Sequence, residues 1–399
     1  MIDLKAARHD PDAYRTALAR KGAAEAFDAL LAADERWRLL VPRLDELRGK
    51  TKLKGKPSPE QLAELQQVKE ELRAAEEEYA AAEAERDLLA LRIPNLPHPE
   101  IPDGSTEDDV SEVRRVGEPP ALETAREHTE VGRFEMERAA RMSGARFGYW
   151  VGDTALLALA LYRLALDRLA AKGFVAVLPP VLVREEALIG TGAFPSDEAN
   201  VYELAADGLY LAGTAEIPLA SLHAGEILDA DALPLRYVAF SPCFRREAGA
   251  AGRDTRGMIR VHQFNKVEQF SFTRAEDSWD EHELLLANTE ELVRELGLPY
   301  RVVVLPAGDI SSAAAKTYDV EIWFPSQERY RETASISNTT DFQARRLAIR
   351  HRGERGLEPV HTLNGTAVVD RMALAILENF QGDVPDALRE YGAPERVTR

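Results

Sequence analysis

Five side chains within FRREAGAAGRDTRGMIRVHQFNKVEQF, residues 244–270, are of the types that bind nucleotides. The stretch joins two strand-like apolar segments and so predicts a β-hairpin with a long loop. Side chains two apart on a strand share a face, which brings Arg245 and Glu247 together and also aligns Arg260, Phe264 and Glu268. Guanidinium groups bind phosphates, a ring stacks on a base, and carboxylates accept from amines. The pattern predicts a nucleotide site, with a surface ladder of ion pairs as the alternative.

Two further pairs of polar residues have spacings that suit chemistry. Thr214 and Glu216 follow an apolar strand and share a face if the strand continues through them, with a helix cap as the alternative. Glu332 and Ser335 offer oxygen ligands for a hard divalent ion. A spacing of three places them on opposite faces of a regular strand, so a shared ion requires a β-bulge.

The segment HTLNGTAVVDRMALAILENFQ predicts a strand, a turn at Asp370 and a helix with Arg371 at its start. Asn364 and Thr366 share one face of that strand, although turn chemistry is an alternative explanation for both. The sequence has no Walker loop, dinucleotide fingerprint or GxSxG serine motif, and its histidines lack the spacing of zinc ligands. These gaps disfavour the common P-loop, Rossmann, hydrolase and zinc chemistries.

The chain has 399 residues, a formal net charge of -18 and a sequence pI near 5.1. This length predicts about two domains, and the acidity means that a polyanion must meet a local basic patch. The single cysteine, Cys243, excludes an internal disulfide and is expected to be a small buried residue. Without a signal sequence or a long apolar run, we expect a cytoplasmic protein that does not enter a membrane.

The first hundred residues predict two long helices that pack against each other. Apolar residues recur at alternating spacings of three and four along two seams. The first seam comprises Leu30, Ala33, Trp37, Leu40, Leu44 and Leu47. The second comprises Leu65, Val68, Leu72, Ala75, Tyr79, Ala82, Leu89 and Ile93. We expect Ser58 to cap the second helix, Pro94 to end it, and Pro42 to kink or interrupt the first.

The turn between these helices carries five basic residues and no acidic one. They are Arg48, Lys50, Lys52, Lys54 and Lys56. We interpret this tip as a contact for nucleic-acid phosphates, with a solvated loop on a dimerisation coiled coil as the alternative. From about residue 110 the helical seams give way to short strands alternating with amphipathic helices at 153–171 and 276–296, which predicts an α+β domain.

Several long segments together resemble the seryl-tRNA synthetases of bacterial type, which are class II aminoacyl-tRNA synthetases. The resemblance rests on IPNLPHPEIP, TAEIPL (214–219), the arginine stretch (244–268), AAKTYDVEIW (314–323), SNTTDFQARR (337–346), LNGTA and AILEN. It implies an antiparallel sheet of six or seven strands flanked by helices, and an antiparallel two-helix coiled-coil arm. We therefore expect an arm domain at 1–105 and a class II catalytic domain at 106–399.

The same resemblance implies that serine and ATP form seryl-adenylate and that the seryl group then passes to tRNA(Ser). A homodimer is implied, with the arm gripping the long variable arm of the tRNA, the acceptor end reaching the active site, and Mg²⁺ held by Glu332 and Ser335. The implied catalytic residues are Arg245 and Arg371. The implied ATP-binding residues are Arg245, Arg246, Glu247, Arg260, Val261, Phe264, Glu332, Thr333, Ala334, Ser335 and Arg371. The implied serine-binding residues are Thr214, Ala215, Glu216, Arg245, Arg260, Glu268, Asn364 and Thr366.

One departure from the family pattern bears on function. The family's last motif usually has one more residue between its Asn-Gly and its arginine, with glycine before the arginine, whereas this chain reads NGTAVVDR. The shortening is expected to shift Arg371 relative to adenine. It leaves two alternatives open, a paralogue that has lost ligation and binds RNA, and an enzyme that transfers to another acceptor.

Overall fold

The computed structural model describes residues 1–52, 58–248, 257–354 and 356–399. Its contacts divide the chain into two compact units, Met1–Leu96 and Pro97–Arg399. The second unit thus begins before residue 106, where the sequence placed the boundary, because Ile101 packs in this unit beside Ala307. Among the described residues, no helix is both long and apolar enough to cross a membrane.

All the regular secondary structure described in the first unit is helical. Its helices are α1 (Leu4–His9), α2 (Pro11–Ala19), α3 (Ala24–Lys50) and α4 (Pro59–Arg92). Ion pairs join Arg36 to Glu85 and Arg48 to Glu76, so residue numbers rise along α3 as they fall along α4. The two long helices are therefore antiparallel, as predicted.

The predicted seam holds α3 and α4 together. Leu44, Leu47 and Ala75 are buried in one apolar cluster, and the guanidinium of Arg86 lies 3.9 Å from the Trp37 ring centroid. This cation–π contact explains why a charged residue interrupts the second seam. The capping box at Ser58 is confirmed, since its Oγ accepts from the Gln61 N–H at 3.2 Å and Gln61 Oε1 accepts from the Ser58 N–H at 2.9 Å.

Pro42 does not interrupt the first long helix. Helix α3 continues through it from Ala24 to Lys50, so the expectation of a break is wrong. Proline removes one backbone donor and crowds the preceding turn. The buried leucines on both sides of Pro42 supply the packing that keeps the helix continuous, because tertiary contacts stabilise protein helices more than local propensity does.

The second unit is α+β. Its strands are β1 (Ser111–Val116), β2 (Phe134–Glu135), β3 (Tyr149–Trp150), β4 (Val175–Val177), β5 (Leu182–Val183), β6 (Tyr202–Leu204), β7 (Leu209–Leu211), β8 (Ile227–Leu228), β9 (Leu235–Phe244), β10 (Gln263–Thr273), β11 (Tyr300–Val304), β12 (Lys316–Phe324), β13 (Arg329–Asn338), β14 (Arg350–Gly353), β15 (Gly356–Pro359) and β16 (His361–Val369). Its helices are α5 (His128–Val131), α6 (Met136–Ser143), α7 (Asp153–Ala171), α8 (Glu185–Thr191), α9 (Glu216–Ser221), α10 (Ser278–Glu295), α11 (Phe342–Leu347), α12 (Asp370–Phe380) and α13 (Asp386–Arg389).

One large sheet organises this unit in the strand order β1-β11-β12-β13-β16-β10-β9-β4. All neighbours are antiparallel except β4, which pairs in parallel with β9 as a three-residue edge strand. The sheet therefore has eight strands instead of the expected six or seven. Helices α7 and α12 pack their apolar residues into the main core, and Cys243 on β9 is buried as expected.

The predicted hairpin is present as β9 and β10. The two strands pair from Leu235, opposite Phe272, to Phe244, opposite Gln263. The second strand is shorter than expected, because it begins at Gln263 and leaves Met258 to His262 outside the ladder. Residues 249–256 of the connecting loop, including Arg253 and Arg256, lie outside the described residues. The hairpin and the neighbouring strands β13 and β16 form the floor on which the polar residues collect.

Candidate active site

A cavity of about 320 Å³ opens where the β9–β10 hairpin, β13, β16 and the start of α12 meet. Most of the residues selected from the sequence line it. They are Thr214, Glu216, Arg245, Glu247, Arg260, Val261, Phe264, Glu268, Glu332, Thr333, Ser335, Asn364, Thr366 and Arg371. Residues separated by up to 157 positions in sequence are thus brought to one site.

Three selected residues do not line this cavity. The side chains of Ala215 and Ala334 are buried in apolar clusters beneath it. Arg246 is exposed, and its backbone N–H donates to the Asn200 carbonyl at 2.8 Å.

The basic residues predicted for the tip belong to the first unit. Arg48 is paired with Glu76 at 3.1 Å, and Lys50 with Glu46 at 2.7 Å. Lys52 follows α3, whereas Lys54 and Lys56 lie outside the described residues.

Two of the five hairpin residues occupy the strand positions expected of them. Phe264 and Glu268 lie on β10, while Arg260 precedes that strand and Arg245 and Glu247 follow β9. Glu247 has a left-handed backbone with φ of 53° and forms an ion pair with Arg260. Simple alternation along two strands therefore selected five residues that line the cavity, although three of them reach it from irregular backbone.

Lys266 is a cavity residue that the sequence analysis missed. Its ammonium forms an ion pair with Glu268 and donates to Thr214 Oγ1 at 2.8 Å. Lys266 lies midway between Phe264 and Glu268, so the alternation rule that selected those two also selects it. The three groups form an ammonium-binding corner at the base of the cavity.

Glu216 occupies the same corner from the first turn of α9, because β7 ends at Leu211 instead of continuing through it. Thr214 Oγ1, one residue before the N-cap Ala215, accepts from the Glu216 N–H at 3.2 Å. Gln343 Nε2 donates to Glu216 Oε1 at 2.7 Å. Burial, followed by the negative charge of Glu268, raises the pKa of Glu216 to about 7 despite this hydrogen bond.

We expect Glu216→Gln to stabilise the second unit at pH 8. The folded-state pKa of Glu216 lies above the usual 4.5, so its contribution to stability is fully present below pH 4.5 and is lost as the pH rises through about 7. A neutral amide avoids this loss, which amounts to about 3 kcal/mol at 1.36 kcal/mol per pKa unit. Thermal unfolding at pH 5 and pH 8 measures the effect. Glu186→Gln, at an exposed position on α8, is the control, and a gain that is equal at both pH values would contradict the prediction.

A β-bulge brings Glu332 and Ser335 to one face of β13. In the pairing with β12, Glu321 opposes Glu332 while Val320 opposes Ala334, which leaves Thr333 as the extra residue. Thr333 Oγ1 donates to the Val320 carbonyl at 2.9 Å and so holds the bulge. Ser335 Oγ and Glu332 Oε1 consequently lie 3.4 Å apart. The bulge that a shared ion requires is thus present.

The oxygen atoms at this bulge suit Mg²⁺, which takes one or two carboxylates and completes its shell with water and phosphates. Nearby, Asp319 Oδ1 is buried and has no hydrogen-bond partner within the described ranges. Burial, followed by the negative charge of Glu332, raises the pKa of Asp319 well above its usual value. In the same part of the chain, no three His, Cys, Asp or Glu residues are placed to hold a metal by themselves.

The opposite end of the cavity has a flat aromatic wall. The Arg245 guanidinium lies 5.3 Å from the Phe264 ring centroid. Arg371, in the first turn of α12, donates to the Ile259 carbonyl at 3.4 Å and to the Glu332 carbonyl. The shortened segment before it therefore still delivers Arg371 to the cavity that Phe264 lines.

Asp370, which occupies the unusual position before Arg371, fixes the start of α12. Its Oδ2 accepts from the Asn265 N–H at 3.0 Å, and its Oδ1 accepts from the Tyr162 hydroxyl. Burial raises the pKa of Asp370 to about 6, and these hydrogen bonds oppose the shift. The acid thus links α12 to β10 directly beside the cavity.

Comparisons with known proteins give matches across both units. Residues 1–97 match the family described as "Seryl-tRNA synthetase N-terminal domain", and residues 202–380 match "tRNA synthetase class II core domain (G, H, P, S and T)". Curated relatives named serine–tRNA ligase, from Streptomyces coelicolor and Thermobifida fusca, are each 46% identical over 98% of this chain and 97% of their own length. The crystal structure of seryl-tRNA synthetase from Pyrococcus horikoshii complexed with ATP has a TM-score of 0.93 and 39% identity, covering 100% of this chain and 99% of that one.

Proposed function

The chain belongs to the seryl-tRNA synthetase family and is an ATP-dependent serine–tRNA ligase, and we propose that its cavity binds serine and ATP side by side. The observation that carries this assignment is the ammonium-binding corner of Lys266, Glu268 and Thr214 at the base of an arginine-lined cavity. An amino acid bound there by its ammonium directs its carboxylate toward the arginines, where a nucleotide phosphate also belongs.

The nucleotide occupies the aromatic end in this proposal. The adenine ring stacks on Phe264 and is covered by Arg371, while Arg245 neutralises the α-phosphate as the serine carboxylate attacks it. The carboxylate oxygen forms the new bond to phosphorus, and the bond to the leaving pyrophosphate breaks. Two anions must approach each other in this step, so a fixed cation between them lowers the barrier mainly by electrostatics.

At its serine end, the cavity selects the amino acid by charge and hydrogen bonding. Glu268 accepts from the serine ammonium, Arg260 binds on the carboxylate side, and Asn364 and Thr366 lie near the hydroxyl. Thr214 and Glu216 complete the corner. Lys266 already occupies part of it, so the serine ammonium shares Glu268 with this lysine or displaces it. Lys266 thus takes part in serine binding in this proposal.

Mg²⁺ belongs to this proposal as the ion held by Glu332 and Ser335. When bound, it supplies positive charge to the phosphates. The support is the oxygen pair created by the Thr333 bulge, which leaves room for phosphate and water ligands.

The alternative of a paralogue without ligase activity is not favoured. It was motivated by the shortened segment before Arg371, yet Arg371 lines the cavity, and the relatives that match nearly the full chain are serine–tRNA ligases. Serine-dependent ATP–pyrophosphate exchange followed by charging of bulk tRNA tests the function directly. We expect both activities with serine, and no exchange at saturating ATP and Mg²⁺ would overturn the proposal.

The helical hairpin of the first unit serves the tRNA in this proposal. We expect replacement of Lys50, Lys52, Lys54 and Lys56 by alanine to weaken tRNA(Ser) binding and flatten its salt dependence. Each lost phosphate contact reduces the slope of log K against log salt by about 0.7 to 0.9. Filter binding across a salt series measures this slope, and Lys69→Ala on α4 is the matched control. Exchange should stay unchanged, and an equal fall in exchange would contradict the division of labour.

A homodimer in the cytoplasm completes the proposal. Large apolar side chains are exposed on successive segments between residues 142 and 182. They are Met142, Tyr149, Leu156, Leu159, Val175, Leu178 and Leu182. Exposed apolar side chains in such number are typical of a subunit interface, and β4 presents a sheet edge in the same segment. Light scattering of the purified protein should give twice the chain mass.

A further inference from the structure

A fully buried histidine–glutamate pair lies beside the cavity without lining it. His128, the first residue of α5, places its Nδ1 2.7 Å from Oε1 of Glu378 near the end of α12. The His128 backbone N–H donates to the same oxygen at 3.2 Å, and both side chains are completely inaccessible. The Ser326 N–H donates to the other carboxylate oxygen at 3.2 Å. Burial opposes ionisation, but the hydrogen bonds from His128 and Ser326 hold the pKa of Glu378 below its usual value.

The second ring nitrogen of His128 binds the cavity wall. The backbone N–H of Met258 donates to Nε2 at 3.1 Å. A backbone amide can only donate, so Nε2 must be the unprotonated acceptor. The ring proton then resides on Nδ1 and is donated to Glu378, which fixes both the tautomer and the orientation of the ring.

The backbone fits closely around this ring on both sides of Met258. Gly257 has φ of 70°, and a Cβ there would lie 2.6 Å from His128 Nε2. The Met258 side chain packs over Gly148, where a Cβ would lie 2.4 Å from its sulfur. At Gly257, both the left-handed backbone and the approach to the ring disfavour any residue with a Cβ. The contact between His128 and the wall is therefore built into the backbone.

The segment held in this way needs an external attachment. Residues 257–261 precede β10 and receive no ladder hydrogen bonds from its neighbours. Within the segment, the Ile259 carbonyl accepts from Arg371, and Arg260 pairs with Glu247. Arg371 begins the helix whose later residue Glu378 orients His128. Helix α12 thus carries the arginine and, through His128, also holds the wall that this arginine contacts.

We propose that His128 is a positioning residue for ATP, which sets the cavity wall at Met258–Arg260 against Arg371 through a single acceptor nitrogen oriented by Glu378. This role rests on the proposed use of the cavity for ATP. It acts on the nucleotide end, because the Ile259 carbonyl accepts from Arg371, which covers the adenine in the proposed arrangement. ATP binding should therefore depend on His128 more than serine binding does.

Two substitutions in the full-length protein separate the two ring nitrogens. In His128→Gln, the longer amide can offer an acceptor to the Met258 N–H. In His128→Asn, the shorter amide reaches only the Glu378 side. We expect His128→Asn to weaken ATP binding about tenfold, which corresponds to the loss of one hydrogen bond. We expect His128→Gln to stay within about threefold of the wild type, and the serine KM to change less than twofold in both.

ATP affinity is measured by calorimetry without serine, and the serine KM by pyrophosphate exchange. The calorimetry does not depend on catalysis. A failure of ligation would therefore overturn the proposed function, while the role of His128 could still be tested. Equal ATP affinity in the wild type and both variants would overturn that role, as would an equal rise in the serine KM. If His128→Asn does not fold, Gly257→Ala tests the same contact, because its Cβ pushes the wall and the His128 ring apart while the His128 and Glu378 side chains are both retained. Unchanged ATP affinity in Gly257→Ala would then overturn the proposal.

Discussion

Arg245→Gln is expected to lower the kcat of serine-dependent ATP–pyrophosphate exchange by about 10² to 10³-fold, the usual effect of removing one preorganised group that stabilises charge in a transition state. Arg245 follows β9 at the centre of the cavity, where its Nε donates to the Gly213 carbonyl at 3.3 Å and its guanidinium faces Phe264. Glutamine keeps a polar group but is shorter and removes the charge. The serine carboxylate and the α-phosphate then repel each other without compensation.

The matched control for this substitution is Arg389→Gln. Arg389 lies on α13 in an exposed ion pair with Asp386 at 3.1 Å, and such pairs contribute little to stability. Its exchange rate should equal that of the wild type. A kcat loss below tenfold for Arg245→Gln, with normal ATP and serine binding, would show that another group stabilises the transferred charge.

Glu268→Gln is expected to raise the serine KM by about 10² to 10⁴-fold, because removing one partner of a buried ion pair typically costs about 3–5 kcal/mol. Glu268 is 1% exposed, so water cannot replace it as the partner of the ammonium. The same substitution removes the negative charge beside Glu216, so the pKa of Glu216 should fall from its value of about 7.

Pyrophosphate exchange at varied serine and calorimetry with ATP separate this effect from general damage. ATP affinity should remain within about threefold of the wild type, since the nucleotide end does not contact Glu268 in the proposed arrangement. A serine KM close to that of the wild type would remove Glu268 from the ammonium site. An equal loss of ATP affinity would instead indicate a collapsed cavity.

Local patterns predicted the parts of this molecule that are built from regular repeats. The three-and-four spacing gave both long helices and their antiparallel packing, and alternation along strands gave the hairpin with Phe264 and Glu268. The same alternation also selects Lys266. This residue was missed because a lysine two positions from a glutamate resembles an ordinary surface ion pair. From the sequence, a bulge could be stated only as a condition for a shared ion at Glu332 and Ser335, because the register of β13 depends on its pairing with β12.

Other site residues could not be predicted because their roles depend on distant chain segments. Gln343 reaches Glu216 across 127 positions, and His128 reaches Met258 across 130. Neither has a neighbour in sequence that indicates its partner. Arg260 was chosen by alternation along a strand that begins only at Gln263, so it lines the cavity although the regular backbone that the choice assumed is absent there.

The bulge in β13 has a consequence for how this site could be lost or engineered. The two oxygen groups face the same way because an extra residue, Thr333, stands between them opposite β12. The site therefore depends on the number of residues at this point as well as on their side chains. If the same residues paired with β12 without a bulge, the spacing of three would place Glu332 and Ser335 on opposite faces, and the residues on one side of Thr333 would shift by one position against β12. Chain length at this position is thus as much a part of the site as its chemistry.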